Sequence, residues 1–564
     1  MGNACQARIF ASLNQLIRKH VPILFLMLLV ILLGSIRLKA QTYLESVGVP
    51  PFTTQSPVEM GFVNLANGDL HIEIPLGSFP QRGGREDKIA IVYDSAIWEG
   101  GYWAPDNIPP SGVSEPFIGA GWRLVTSGDT GTTNYGYSEG GNCSIDQDSS
   151  TSYWGPFIWS EPNGTTHSFD VNTIQPNYPT DCPINNDTPN GSAYASDGTG
   201  YYLSVTNYTI GVVYAPDGTI TFSGDLGVYQ GGAEVGVSVP KDTNGNYYVQ
   251  APTANSGNIT DTLGRNPDIT VVNGNTITLQ LLNSQGSRSN YRVNLELIPV
   301  HTDFYGGSGS DYNGNVETVQ SIQLPDGTSY SFTYDQGTDV GHYGELTSIM
   351  LPTGGQINYS YITYNDPYGQ IYRWVNGRST PDGTWSYSPQ ALQSPCAYSQ
   401  TYYVNCNTQV TVTKPSGDQT VYTFTIDHIY GAPWPTQVQY YNGPVSPSSL
   451  LATTFQCFNF VTVTNGTCSY PVTTGSYISA KNVHLLASTT TLPVAGSTTT
   501  EYFWDSGNQG LYGQELQRSE WNFGHSPTYA PDRTTCITYA SPGANIVNRP
   551  SNVTLVNNWS SSPW

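Results

Sequence analysis

The chain's first clear elements appear as an alternation of apolar and polar residues. Residues 69–74 alternate at every second position, which is the period of a half-buried strand. Asn67-Gly68 directly before them has the composition of a turn. Residues 88–93 form a second apolar run, and the polar, Gly-Gly-containing stretch 81–87 separates the two. The pattern predicts two strands joined by a loop.

Further along, a strand, a turn rich in Pro, Asp and Gly, and an alternating strand recur as a unit. Proline presets φ at the first turn position, and glycine tolerates a positive φ. Neighbouring hairpins must stack, since one hairpin cannot bury its own apolar face. The sequence therefore predicts a sheet of stacked β-hairpins. The copies occupy residues 159–169, 214–222, 324–335, 351–361 and, more loosely, 412–424 and 489–505.

Two long stretches lack a strand period. Residues 126–155 are rich in Gly, Ser, Thr, Asn and Asp, and residues 366–410 are rich in Tyr. Both are predicted to be long loops. The composition as a whole, with 40 Tyr, 59 Gly and only 11% charged residues, suits pleated strands and turns. Helical periodicity is nearly absent after the N-terminus, so the predicted fold class is all-β.

The N-terminal 40 residues have the three parts of a signal peptide. Arg8, Arg18 and Lys19 are the positive region, residues 21–36 are almost continuously apolar, and Ala40 is a suitable last residue before cleavage. The apolar run is short for a membrane span. We therefore expect cleavage after Ala40 and a secreted or cell-envelope location. The alternative is a retained anchor, which would be the only membrane contact.

Removal of this segment takes five of the 20 basic residues and none of the 42 acidic ones, which leaves 15 against 42, or −27. Such a surface repels the phosphates of nucleic acids and of anionic membranes. Nucleic-acid binding is therefore not expected. The sequence also predicts no cofactor and leaves the oligomeric state open.

Seven cysteines follow the signal segment, and export permits disulfides. Proximity in the sequence suggests three local pairs and leaves Cys536 unpaired. No Cys/His spacing typical of zinc occurs. The suggested pairs are Cys143–Cys182, Cys396–Cys406 and Cys457–Cys468.

Motifs that could carry chemistry are few. Ser138 lies in a G-x-S-x-G pattern, but no buried strand and helix flank it as a nucleophile elbow requires. The loops 242–246 and 311–317 place oxygen ligands at alternate positions but lack the glycine of an EF-hand loop. No two histidines have metal spacing. The sequence thus assigns no catalytic, cofactor or metal residue, and the chain is expected not to be an enzyme.

Two weaker patterns would suit carbohydrate chemistry. Paired carboxylates are needed for glycoside hydrolysis, and exposed aromatic rings can stack on sugars. For the aromatic residues, packing within the sheets is the competing explanation. The candidate carboxylates are Glu73, Asp94, Glu161 and Asp335, and the candidate rings are Trp98, Trp103, Trp154 and Trp159.

Several motifs occur in a characteristic order. VNLANGDL at residues 63–70 is followed by GAGW at 119–122, by D-x-x-G-R at 261–265 and by GELTSIMLPTGG at 344–355. A strand beginning R-P-x-x-V follows at 549–553. This order resembles the N-terminal and early repeat region of bacterial RHS/YD-repeat proteins. By this resemblance, residues 41–300 are the RHS-like N-terminal region and residues 301–564 are YD-like, becoming degenerate after 366.

In that family, hairpins join edge to edge into a spiralling sheet that closes into a hollow shell. The resemblance implies an exported, non-catalytic surface or secreted scaffold, a truncated shell that presents a downstream toxin or effector. The alternatives are an adhesin that binds cell-surface glycans and a secreted glycoside hydrolase. A glycan array would separate the scaffold from the adhesin, and hydrolysis by the purified chain would support the third.

Overall fold

The chain is seen in a computed structural model, in which Thr42–Trp564 form one compact unit. All strand pairs are antiparallel, so the all-β prediction is confirmed. Among the described residues, helical structure is limited to single turns at Tyr43–Glu45, Arg82–Gly84 and Asp505–Asn508, and no helix is long and apolar enough to cross a membrane. The structure describes residues 43–98, 117–140, 151–176, 187–226, 240–250, 259–304, 311–366, 371–392, 406–426, 432–468, 482–508, 510–541 and 545–557.

The first sheet has six strands in the order β1-β2-β3-β4-β6-β5. The predicted strands at 69–74 and 88–93 lie in its third and fourth strands, joined by the predicted loop. Gly68 lies in the turn that precedes β3. Its φ is 76°, the left-handed conformation that a turn glycine adopts readily. The strands are β1 (Gln55–Val58), β2 (Gly61–Asn64), β3 (Leu70–Pro80), β4 (Glu86–Asp94), β5 (Phe117–Gly119) and β6 (Trp122–Val125).

Two four-stranded sheets follow and share a small core of their own around Phe157, Phe169 and Val213. The loop predicted for 126–155 is wrong in part, because a nine-residue strand begins at Thr132 and pairs with the strand from Thr151. A bulge at Tyr135–Tyr137 interrupts the alternation that would have marked it. The strands are β7 (Thr132–Gly140), β8 (Thr151–Ser160), β9 (Thr166–Phe169), β10 (Thr173–Pro176), β11 (Gly191–Tyr194), β12 (Tyr202–Thr206), β13 (Ile210–Tyr214) and β14 (Ile220–Asp225).

The rest of the chain is dominated by one sheet of 18 strands, in which each strand pairs with the next in sequence, except that β29 pairs with β32. Two small hairpins, β15 (Tyr248–Gln250) with β16 (Ile259–Asp261) and β30 (Val463–Thr464) with β31 (Thr467–Cys468), lie outside it. The sheet contains β17 (Asp268–Asn273), β18 (Thr276–Leu282), β19 (Arg288–His301), β20 (Asn313–Gln323), β21 (Ser329–Tyr334), β22 (Leu346–Met350), β23 (Gln356–Asn365), β24 (Ile371–Thr380), β25 (Gly383–Ala391), β26 (Cys406–Thr413), β27 (Gln419–Ile426), β28 (Pro433–Tyr441), β29 (Leu450–Phe458), β32 (Leu485–Leu492), β33 (Gly496–Trp504), β34 (Glu515–Trp521), β35 (Arg533–Tyr539) and β36 (Pro550–Asn557).

The predicted hairpins are all present, as β8–β9, β13–β14, β20–β21, β22–β23, β26–β27 and β32–β33. The loop predicted for 366–410 is wrong where β24 and β25 form. Tyr372 and Trp374 alternate into the core there, so the aromatic residues fill strand positions. The sheet begins at Asp268 and therefore includes strands on both sides of residue 300.

One continuous core joins the six-stranded sheet to the large sheet. Ile72 and Ile91 from the first, and Val293, Ile349 and Phe424 from the second, are fully buried in it. Each such side chain contributes about 1.5–3 kcal/mol through burial. Polar contacts also cross the interface. They are Trp122 Nε1 to the Tyr334 hydroxyl at 2.9 Å, Trp98 Nε1 to the Tyr343 carbonyl at 2.8 Å, and the Leu346 amide to the Tyr93 hydroxyl at 3.0 Å.

The second four-stranded sheet touches the last strands of the chain. The Asn482 amide donates to the Ser196 carbonyl at 2.8 Å, and the Val547 amide donates to the Pro216 carbonyl at 2.9 Å. Sequence positions more than 280 residues apart are thereby joined by backbone hydrogen bonds. The N-terminal sheets thus brace both the early and the late parts of the large sheet.

Candidate ligand-binding surface

Three aromatic side chains form an exposed group on the first four-stranded sheet. Tyr137 of β7 and Trp154 of β8 are direct cross-strand partners, with ring centroids 5.9 Å apart. Tyr208, from the loop between β12 and β13, places its ring 5.3 Å from that of Trp154. Tyr137 is 49% exposed, and the other two are half-buried. We call Tyr137, Trp154 and Tyr208 the aromatic surface.

Tyr208 is held there by an unusual backbone. Its φ is 70°, a left-handed value that costs a bulky residue about 1 kcal/mol or more. Its amide donates to the Pro189 carbonyl at 2.8 Å, and its carbonyl accepts from Thr173 Oγ1 at 2.7 Å. Strain that is held in place by surrounding bonds is a common feature of functional positions.

A carboxylate accompanies the aromatic surface. The Tyr208 hydroxyl donates to Asp187 Oδ1 at 2.8 Å, and this hydrogen bond raises the pKa of Tyr208. The Tyr137 hydroxyl lies 3.3 Å from Ser152 Oγ. Flat apolar rings bordered by polar acceptors match the two kinds of surface that a sugar ring presents, its C–H face and its hydroxyl edge.

Of the four tryptophans considered for this role, Trp154 alone is placed in the aromatic surface. Trp98 and Trp159 are 8% and 2% exposed and pack in the two cores. Trp103 lies outside the described residues. Tyr137 and Tyr208 were not predicted. The cross-strand pairing of Tyr137 depends on a strand whose period is interrupted, and Tyr208 depends on contacts between separate hairpins.

Three of the four carboxylates considered for glycoside hydrolysis pair with a histidine or arginine side chain, and Glu73 is the exception. Asp94 is fully buried and accepts hydrogen bonds from Arg123 and, at 2.7 Å, from His71 Nδ1. Burial lowers the pKa of His71 to about 4, so its neutral ring donates to Asp94. Asp335 Oδ1 lies 2.8 Å from His342 Nδ1. Glu73 is exposed on β3.

Glu161 belongs to a buried cluster around His167. Its Oε1 lies 2.9 Å from Nε2 of His167, while Asp197 Oδ2 lies 2.6 Å from Nδ1. The ring also stacks on Trp159 with centroids 5.3 Å apart. Burial by itself lowers the pKa of His167, but the hydrogen bonds to Asp197 and Glu161 outweigh burial and raise it to about 9. Both nitrogens of the charged ring are thus engaged by carboxylates, so His167 has no free nitrogen with which to accept a proton.

Ser138 lies in a strand, and carboxylates of the two oxygen-rich loops accept backbone amides. Ser138 lies within β7, not on a strand-to-helix turn. Asp242 Oδ1 accepts the amides of Asn244 and Asn246 at 2.9 and 2.8 Å, and Asp311 Oδ1 accepts the Phe304 amide at 2.7 Å. Across the described part of the chain, no three His, Cys, Asp or Glu side chains converge as metal ligands would.

The cysteine pairs can be compared only in part. Cys457 and Cys468 form a disulfide, as their proximity in the sequence predicted, and Cys536 is free and half-buried. Cys143, Cys182 and Cys396 lie outside the described residues. For Cys406 only the backbone, at the start of β26, is described. The other two pairs therefore stay predictions, as does the signal segment.

Comparison with known proteins gives little. No protein-family model and no curated protein matches the chain. A solved structure described as "Crystal Structure of TcdB2-TccC3-TEV" is similar over 86% of this chain, with 12% identity and a TM-score of 0.20. The chain spans 22% of the length of that protein. A TM-score of this size does not establish a shared fold.

Proposed function

We propose that this chain is an exported, non-catalytic scaffold of the RHS/YD-repeat type, whose large sheet is the wall that houses or presents a downstream effector. One observation carries the proposal: the pairing of 18 strands in an antiparallel series in which each strand joins the next. Such an architecture extends a surface hairpin by hairpin.

The polar groups support this reading. Of the acid, base and nucleophile candidates, Asp94, Glu161 and Asp335 are paired with histidine or arginine side chains. Glu73 and Ser138 lie exposed on β3 and β7. A buried bidentate pair, Arg373 of β24 with Glu345 directly before β22 at 2.9 and 2.8 Å, reaches across β23 and ties these parts of the sheet together. Chemistry of the scaffold's own is not needed for it to enclose another polypeptide.

Three measurements test the scaffold. N-terminal sequencing of the exported protein should find Gln41 at the start; a chain that stays in the cytoplasm with residues 1–40 attached would contradict export. A blot of the source cells with antibody against residues 41–564 gives the mass of the native product. Any polypeptide joined downstream should resist added protease while attached, and cleavage at the rate of the free polypeptide would contradict the enclosure.

A second candidate is an adhesin that binds glycans, and the aromatic surface favours it. An array probed with residues 41–564 should retain the protein on a subset of glycans. Trp154→Ala should weaken that retention, whereas Tyr440→Ala, which removes a tyrosine that is 41% exposed on β28, should not. Equal loss in both variants, or none in either, would contradict a role for the aromatic surface.

A further inference from the structure

A second, unrelated surface feature is a groove of about 600 Å³ between the hairpin β30–β31 and the strands β33 and β34. Its floor includes two cross-strand pairs, Glu501 with Ser519 and Phe503 with Gln517, which lie on the same face of the sheet. Residues 461–465 form one wall and Pro527 stands on the other side. We call it the clip groove. Its volume is in the range of sites that hold small ligands.

The first wall of the clip groove is fixed covalently. Cys457 and Cys468 close the segment that carries the hairpin. Gly466 rests directly on the sheet, because a Cβ at this position would lie 2.5 Å from Thr499 Cγ2. Its carbonyl accepts from Thr489 Oγ1 at 2.9 Å. This wall is therefore already ordered before a ligand binds.

Pro527, the opposite wall, belongs to residues 522–532, and this segment is also held in place. The Gly524 amide donates to the Ser497 carbonyl at 2.9 Å, and Trp521 Nε1 donates to the Tyr529 carbonyl at 3.0 Å. His525 Nδ1 lies 2.8 Å from Asp532. Because both walls are ordered by internal bonds, a ligand would bind without the entropic cost of ordering a loop.

The clip groove combines one exposed aromatic side chain with several polar side chains. Phe503 is an apolar side chain that is 46% exposed. Gln517 Nε2 donates to Ser519 Oγ at 3.0 Å. The side-chain oxygen of Gln517 can therefore accept from a ligand, and the Ser519 hydroxyl can donate to one. Within the described residues, the Glu501 carboxylate has no hydrogen-bond or ion-pair partner. Among the described residues that line the groove there is no lysine or arginine, so phosphate-bearing ligands are disfavoured.

From this arrangement we propose that the clip groove is a binding site for a short neutral saccharide. Phe503 packs against the C–H face of a sugar ring, while Glu501, Gln517 and Ser519 bond its hydroxyl groups. A ligand with one apolar face and several hydroxyl groups satisfies both the ring and the unpaired polar groups. The site is independent of the scaffold role and is separate from the aromatic surface.

The test uses residues 41–564 and an array of neutral oligosaccharides of two to four units, followed by titration of the retained ones in solution. Phe503→Ala should weaken binding about tenfold, as expected for loss of one stacking contact of about 1.4 kcal/mol. Phe523→Ala is the matched control, since Phe523 is 41% exposed and does not line the groove. Trp154→Ala should leave this binding unchanged, which separates the clip groove from the aromatic surface.

Two further variants complete the design. Glu501→Gln keeps the shape and should weaken binding only a few-fold, with little dependence on salt. Cys457→Ser/Cys468→Ser should weaken it while circular dichroism still shows the β-sheet. Absence of any retained saccharide, or equal binding by Phe503→Ala and Phe523→Ala, would overturn the proposal. Complete loss in Glu501→Gln together with salt-sensitive binding of an oligolysine peptide would assign the groove to basic ligands instead.

Discussion

Nδ1 of His167 lies 2.6 Å from Oδ2 of Asp197, and the second ring nitrogen lies 2.9 Å from Glu161. One buried imidazolium thereby joins β9, the turn before it and the loop after β11. Both carboxylates remain partly exposed at 25% and 16%, while the His167 side chain is 1% exposed. Two partly hydrated acids around one buried cation are a favourable arrangement, because the buried charge is fully hydrogen-bonded.

This arrangement makes stability depend on pH in a defined direction. The pKa of His167 is about 9 in the folded chain and near 6.5 when unfolded, so its contribution is complete below pH 6.5 and is lost as the pH rises through 9. His167→Gln should lower the free energy of unfolding by about 2–3 kcal/mol at pH 6. Thermal unfolding of the parent and of His167→Gln at pH 6 and pH 10 measures the difference in stability between them. This difference should be smaller at pH 10.

A suitable control for this experiment is His525→Gln. The His525 side chain also contacts an aspartate, Asp532, but is 52% exposed. Exposed ion pairs contribute little, so this variant should unfold within about 0.5 kcal/mol of the parent at both pH values. If the gap for His167→Gln were the same at pH 6 and pH 10, the ring would contribute packing and not charge.

The contact between the two major sheets can be tested at one glycine. Gly68 has φ of 76°, and a Cβ there would lie 2.2 Å from Trp374 Cδ2 in β24. The Val375 amide also donates to the Gly68 carbonyl at 3.1 Å, so the backbone cannot move away freely. Gly68→Ala should therefore lower the free energy of unfolding by about 3 kcal/mol.

Gly327→Ala separates the two causes of that loss. Gly327 has φ of 88° in the turn between β20 and β21, but nothing lies within 4 Å of a Cβ there. This variant should lose only about 1 kcal/mol from backbone strain. Denaturant unfolding of both gives the difference, and equal losses would mean that Gly68 does not contact Trp374 closely.

The cysteines give a chemical test of the disulfide that fixes one wall of the clip groove. Cys457 is fully buried in its disulfide with Cys468, whereas Cys536 is a half-buried free thiol on β35. Of these three, alkylation without reductant should label Cys536 alone, and peptide mass mapping should recover residues 457 and 468 cross-linked. Labelling of Cys457 or Cys468 before reduction would contradict the disulfide.

Loss of this disulfide should destabilise mainly the segment that it closes. A bridge across 11 residues stabilises by restricting the unfolded chain, which for a loop of this size is worth about 2–3 kcal/mol. Hydrogen exchange in Cys457→Ser/Cys468→Ser should quicken in residues 459–468 and remain slow in β20–β23. Faster exchange throughout the large sheet would show that the disulfide stabilises the sheet as a whole.

Local patterns predicted much of the fold. The alternation at 69–74 lies in β3, the turn at 324–328 joins β20 to β21, and the cysteine pair 457–468 is bonded, because each depends on residues close in sequence. The strands β7, β24 and β25 were missed where bulges and aromatic-rich composition hide a period of two. Nothing local marks Tyr208 or His167, because each is positioned by partners about 20–35 residues away.

The strained residue in the aromatic surface yields the last prediction. Tyr208→Gly removes the cost of a left-handed φ but also the ring contact with Trp154 at 5.3 Å, and each is worth about 1 kcal/mol. The free energy of unfolding should therefore change by less than about 1 kcal/mol, while any glycan retention that depends on Trp154 should fall. Denaturant unfolding and the glycan array measure the two quantities on the same protein. A variant that loses stability but keeps its glycans would mean that the Tyr208 side chain supports the fold and not the surface.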